Sequence, residues 1–383
     1  MLMRNRQRSI GIMGRVLDQR DGLGLYAVSL VQRMVALDPE TRYVLLLATD
    51  RQAPLFSEFP NAECHVLPYQ SKLWWDQITV PAAARRLGVD VLFNPKFSIP
   101  LLTSIPCAFV LQSADWYVNP KNYPWPNNVY IRLMLPLYCR KAARMLAISQ
   151  ATVTELDRHI RLDPARTTVT YAGVSANFSP QRDPEALREF QSAYALPEDF
   201  ILTVARAYHS GYTHPMPYPG GNNERLVRAY QQYRRQGGTL PMVVAGHRIE
   251  EYLRKRGLGD ADLDAVKFIG FVPNQRMHLA YQLANCFVLA TLCESFGLPI
   301  LESMSSGCPA IVPNTCASPE IAGSAARLID PYDERDITQA LLEVAGSQER
   351  RSQMRERGLE RARAFTWDET ARRTTAAIRE LTV

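Results

Sequence analysis

Nowhere does the chain offer about 18 consecutive apolar residues, so it is not expected to contain a membrane-spanning helix. Its opening residues are basic and lead into a predicted strand, not into the apolar core of a signal peptide. No CxxC pair and no His/Cys cluster is present, which argues against a structural zinc site. The seven cysteines are odd in number and scattered. They predict free thiols in a reducing, cytoplasmic setting rather than a disulfide framework. Dense Lys/Arg runs with interleaved aromatics are missing too, so nucleic acid is not an expected partner. Internal repeats and low-complexity tracts are absent.

What remains is a folded chain of 383 residues, 46% hydrophobic and 21% charged. That length exceeds one ordinary core and predicts two domains. The net charge of +6 is unevenly spread. Residues 1–180 hold 20 Lys/Arg against 13 Asp/Glu, leaving 24 and 25 of the totals of 44 and 38 for the rest. A basic first half suits an acidic or membrane-anchored partner, and it equally suits plain solubility.

Short apolar strands alternate with amphipathic segments along the whole chain. Strands are predicted at 10–13, 43–48, 89–94, 107–111, 145–149 and 168–171. A second series follows at 200–205, 241–246, 265–270, 286–290, 309–313 and 326–329. Helices are predicted at 23–37, 73–87, 127–143 and 150–160, and between the later strands. This rhythm means parallel sheets covered by helices, an α/β fold built from two Rossmann-like halves. Ser175–Pro180 reads as the linker.

The most informative run is Glu294-Ser295-Phe296-Gly297-Leu298-Pro299-Ile300-Leu301-Glu302. It follows the apolar strand Cys286–Ala290. Gly297 allows a sharp turn because it has no Cβ. Pro299 suits a helix start, where no N–H is lost. A strand, a tight turn and a helix N-terminus together make an anion site. Glu294 precedes that site and Glu302 lies further along the helix.

These residues, with Ser305–Pro309, Ser318–Gly323 and Leu328–Pro331, resemble the signature of glycosyltransferase family 4, retaining enzymes of the GT-B fold. The resemblance implies two Rossmann-like domains whose parallel sheets face each other across a cleft. It places an acceptor-side domain at 1–178, a nucleotide-sugar domain at 179–363 and a helix crossing back at 364–383. It also implies that Glu294 lies by the donor sugar and that Glu302 holds the ribose. The amides at Ser295, Phe296, Gly297 and Leu298 would meet the diphosphate and the sugar.

Three weaker constellations accompany it. Gly22 and Gly24 stand between the first strand and the first long helix, where ligands of such sheets collect, and resemble the family's glycine loop near the diphosphate. Arg206 ends the strand at 200–205 and offers a fork to phosphate oxygens. The family carries a lysine a little later, where this chain has Asn222. Asn222 as a neutral donor, or His209, His214 or Arg225 as a cation, would fill that role. Gln112 stands where relatives often have His; it can bond a hydroxyl but cannot exchange a proton near neutral pH. Asp115 is the nearby candidate for positioning the acceptor or taking its proton, or else a helix cap. The Asp260-Ala-Asp262 pair has the spacing of a metal-binding motif but sits in a charged loop with no strand leading into it.

The expected activity is therefore metal-independent, cofactor-free transfer of a sugar from a nucleotide-diphosphate donor to a saccharide or lipid-linked acceptor, with contact at the inner membrane surface an open option. Glu294, Arg206, Asp115 and Gln112 are the catalytic candidates. A sugar-nucleotide epimerase and a non-catalytic partner subunit are the alternatives.

Overall fold

The structure, a computed structural model, describes residues 7–19, 22–120, 123–206 and 219–381. It contains two compact units, one of residues 1–173 with 366–383 and one of residues 174–365.

The first unit holds a seven-stranded sheet of β1 (Ser9–Met13), β2 (Arg42–Leu47), β3 (Ala62–Val66), β4 (Val91–Asn94), β5 (Cys107–Leu111), β6 (Arg144–Ala147) and β7 (Thr167–Val169). Their order is β3-β2-β1-β4-β5-β6-β7, and all pairs are parallel. β1 and β5 are buried along their whole length, as expected of strands with helices on both faces. β3 is an addition to the predicted set. It is an edge strand of mostly exposed residues, so its apolar signal is weak. The helix predicted at 73–87 is broken into Lys72–Trp74, a π-helical turn at Trp75–Thr79, and Val80–Arg86. Pro81 has no N–H for a regular ladder at that junction.

The chain's last helix, Trp367–Arg379, belongs to this first unit and packs on the helix Gly22–Leu37. Tyr26 and Trp367 meet edge to face at 5.5 Å, and Arg33 Nε donates to Asp368 at 2.7 Å. Gly173 passes so close to this returning segment that a Cβ there would lie 2.2 Å from the Trp367 nitrogen.

The second unit holds a six-stranded sheet of β8 (Ile201–Val204), β9 (Met242–Ala245), β10 (Val266–Gly270), β11 (Cys286–Val288), β12 (Ala310–Pro313) and β13 (Arg327–Ile329). The order is β10-β9-β8-β11-β12-β13, again parallel throughout. Ser175–Pro180 lies inside this unit, where Phe178 is buried against Tyr281 and His278.

In each sheet the strand order reverses once, between β1 and β4 and between β8 and β11. Connections diverge to opposite faces there and leave a crevice beyond the carboxyl ends of the two strands. Among the described residues, no helix is long and apolar enough to cross a membrane.

Candidate functional site

β11 delivers its carboxyl end to the crevice of the second sheet. The buried strand residues continue into Leu289 and Ala290, turn through 291–297, and enter the helix Leu298–Ser305. Gly297 takes φ +87°, and a Cβ there would sit 2.8 Å from the Ile300 side chain. Pro299 lies in the first turn, where its missing N–H costs nothing. The N-cap residue is Gly297 itself, which has no side chain to cap the first turn. The positive end of the helix dipole thus points to the crevice.

The turn is held from several sides. Leu292 N donates to Gly220 O at 3.0 Å, and Thr315 Oγ1 donates to Leu292 O at 2.9 Å. Ala317 N donates to Glu294 O at 3.0 Å. The expectation that every cysteine is free is corrected here: Cys293 is disulfide-bonded to Cys316, and the other five are thiols. The bond ties the residue before Glu294 to the loop after β12. The half-buried Glu294 side chain therefore stands on a fixed backbone.

Glu302 lies on the same helix, only 8% exposed. Its carboxylate accepts long hydrogen bonds from Asn274 Nδ2 at 3.4 Å and from the Tyr281 hydroxyl at 3.3 Å. A carboxylate has about four acceptor sites, so these two bonds leave much of its capacity unused. Burial pushes its pKa up to about 7, and the Asn274 and Tyr281 hydrogen bonds offset this only in part. Tyr281 is itself held well above its ordinary value, by burial first and then by the Glu302 charge. Thr291, also buried, has a hydroxyl with no partner among the described residues. These underused acceptors and donors suit a ligand rich in hydroxyl and phosphate oxygens.

Arg206 follows β8 across the strand reversal and is exposed. Residues 207–218, including His209 and His214, lie outside the described residues. Asn222 has a use other than the one expected. Its backbone is left-handed, with φ +54°, and its amide donates to Ala290 O at 2.8 Å and to Pro331 O at 2.7 Å. Both amide hydrogens are thereby spent on the backbone. Its oxygen accepts from Arg225 Nη1. Asn222 thus staples the start of the helix Asn223–Arg235 to the end of β11 and orients Arg225. Arg225 also reaches Pro331 O at 3.3 Å and lies over the Tyr332 ring. Gly221 admits no larger residue, since a Cβ there would meet Arg206 O at 2.7 Å. Arg225 thus stands beside Asn222 on the same side of the sheet as Arg206.

The second unit therefore brings Arg206, Asn222, residues 294–298 and Glu302 to the carboxyl side of one sheet. The other candidates belong to the first unit. Gly24 opens the helix Gly22–Leu37 where a Cβ would clash with Gln19 O at 1.9 Å; Gly22 has open space around it. Gln112 follows β5, is buried, and donates to Pro95 O at 2.7 Å, while its amide oxygen has no partner among the described residues. Asp115 accepts from Asn119 Nδ2 and from the Tyr123 hydroxyl, each at 2.7 Å, so both oxygens are engaged within the loop. Asp260 pairs with Arg254 and Asp262 accepts from Gly259 N. Among the described residues, no three His, Cys, Asp or Glu side chains gather as a metal site.

Sequence reasoning missed Thr291, Asn274 and Tyr281. Asn274 and Tyr281 lie seven residues apart on the helix Asn274–Leu283. That spacing marks one face but not which buried acid the face meets.

Comparison with known proteins bears on both units. Residues 20–178 match the family model described as Glycosyltransferase Family 4, and residues 221–361 match the one described as Glycosyl transferases group 1. O-antigen chain mannosyltransferase B of Escherichia coli is 26% identical over 271 residues, covering 69% of this chain and 68% of that protein. Serotype-specific mannosyltransferase WbdA of Escherichia coli is 25% identical over 237 residues, which is 60% of this chain but 28% of that longer protein. The crystal structure of Anabaena HepE, a complex with UDP and glucose, superposes with a TM-score of 0.74 at 15% identity and covers 97% of this chain and 100% of that one. With its two parallel Rossmann-like sheets and both family models matched in order, the chain is a GT-B-fold glycosyltransferase and belongs to glycosyltransferase family 4.

Proposed function

We propose that the second unit binds a nucleotide-diphosphate sugar and that the enzyme transfers the sugar, with retention of its anomeric configuration, to a hydroxyl of a growing surface polysaccharide. The observation that carries this reading is the buried, under-satisfied Glu302 set behind a helix start whose N-cap is glycine. Burying an ionisable acid with two long hydrogen bonds is costly unless a ligand repays it. Two adjacent ribose hydroxyls match a carboxylate's paired acceptor oxygens.

The remaining roles follow from charge. As the bond between sugar and phosphate breaks, negative charge grows on the diphosphate. The backbone donors at Gly297 and Leu298, with Arg206 and Arg225, stabilise it from fixed positions. Glu294 orients the sugar and stabilises the positive charge developing on its ring. The acceptor hydroxyl attacks the face that the diphosphate leaves and passes its proton to the departing diphosphate oxygen, which preserves the configuration. We assign acceptor recognition to the first unit, with Gly24, Gln112 and Asp115 as its candidates. The mannosyltransferases among the relatives support a hexosyl donor of that kind and an O-antigen type of product.

A thermal-shift panel tests the reading. A ligand at 100 times its Kd adds about 2.7 kcal/mol. In a unit of this size that raises Tm by roughly 5–10 °C. Nucleoside diphosphates and their sugars are expected to shift the protein in this way. The monophosphate of the same base, lacking the group the helix start receives, should shift it much less. A panel with no shift, or with equal shifts for mono- and diphosphate, would count against the assignment.

A further inference from the structure

We propose that the helix Trp125–Lys141 of the first unit is a docking surface for an anionic lipid bilayer. Trp125, Val129, Leu133 and Leu137 recur at every fourth position and are all exposed, Trp125 by 76% and Leu133 by 65%. At 100° per residue they form one stripe about 120° wide. The opposite side carries the buried Ile131, Leu135, Tyr138 and Cys139 and packs into the core. The helix is thus apolar on both sides, and among the described residues only one side has a protein partner. The neighbouring segment adds exposed Leu73, Trp74 and Ile78. Lys72 joins that segment to this helix, its ammonium 4.9 Å from the centre of the Tyr130 ring. Scattered surface leucines are ordinary, but a continuous apolar stripe with a tryptophan at its end is not.

Charge selects the occupant. Arg140 falls within the arc of the exposed stripe, Arg132 and Lys141 flank it on either side, and all three are exposed. From residue 116 to residue 154 there is no Asp or Glu at all. A second copy of the same surface would bring these cations against each other. An anionic bilayer instead takes the apolar side chains into its acyl boundary and the guanidinium groups into its headgroups. Trp125 suits that boundary, with an apolar ring and one polar N–H.

Vesicle flotation of the full chain tests this. The protein is expected to float with phosphatidylcholine vesicles containing phosphatidylglycerol, to float poorly with phosphatidylcholine alone, and to be released by high salt. Leu133→Glu, and separately Arg132→Glu with Arg140→Glu, should each weaken the binding at least about tenfold. Both variants should keep the wild-type nucleotide response and a Tm close to wild type, because all three side chains are exposed and lie outside the donor site, Arg132 resting over the Tyr117 ring at the core's margin. Flotation of Leu133→Glu at the wild-type level would overturn the proposal, as would no flotation of the wild type with either vesicle. Loss of a dimer in Leu133→Glu, without any vesicle binding by the wild type, would give the face to a second copy instead.

Discussion

Glu294→Ala should lower kcat for sugar transfer by about 100- to 1,000-fold, the range seen when one preorganised electrostatic group is removed from a reacting centre. The substitution is a clean one because the backbone at this position is held by bonds that do not involve the side chain. Its carbonyl is bonded by Ala317 N, the preceding Cys293 is bonded to Cys316, and Leu292 is held through both its N–H and its carbonyl. The Tm and the Kd for the donor should therefore stay close to wild type, the change appearing in kcat rather than in binding. Glu294→Gln separates charge from shape. It keeps the size and the hydrogen-bond acceptor but loses the negative charge that faces the developing cation, so it should be nearly as impaired as alanine. Steady-state transfer assays with the three proteins decide the point, and unchanged turnover in both variants would remove Glu294 from the mechanism.

The second large effect has opposite signs in two measurements. Glu302→Gln should stabilise the ligand-free protein above pH 7 and weaken its hold on the donor. The sign follows from linkage. The carboxyl is raised by burial from its ordinary value of 4.5 to about 7 in the folded protein. The folded state therefore binds the proton more tightly than the unfolded one. This contribution is fully present below about pH 4.5 and is lost as pH rises through about 7. A shift of this size corresponds to at most about 3 kcal/mol. Glutamine carries no proton equilibrium, so the variant's advantage should grow between pH 5 and 8 and then level off. Donor affinity should move the other way. Losing the charged acceptor for the ribose hydroxyls should raise Kd by roughly ten- to a hundredfold. In the wild type, Kd should fall as pH rises through 7, because the ionised carboxylate is the better acceptor. Denaturant unfolding at several pH values and calorimetric titration of the nucleotide read the two effects. A merely structural Glu302 would leave Kd unmoved.

Much of this was legible in the sequence because it was written in backbone geometry. Strands buried on both faces are continuous apolar runs, and β5, β9 and β12 lie within one or two residues of their predicted positions. Gly297 and Pro299 announced the strand–turn–helix junction because glycine takes a left-handed backbone freely and proline loses no hydrogen bond in a first helical turn. What stayed hidden depends on which distant side chains meet. β3 is an edge strand with exposed Glu63 and Cys64, so alternation gave it no apolar face. The Cys293–Cys316 bond spans 23 residues, and spacing alone says nothing about whether two Cα atoms come within bonding range. Asn222 drew notice as a departure from the family's lysine, but counting along the chain could not show its amide turned onto Ala290 and Pro331 with Arg225 set behind it. The raised pKa of Glu302 arises from the surrounding burial, which no local window contains.

All of these expectations rest on a single placement, and a crystal of the enzyme with its best nucleotide sugar tests it directly. The account predicts diphosphate oxygens at about 3 Å from the backbone nitrogens of Gly297 and Leu298, with the ribose hydroxyls at a similar distance from the Glu302 carboxylate. A diphosphate bound away from the start of the Leu298–Ser305 helix, with Glu302 still facing only Asn274 and Tyr281, would contradict it.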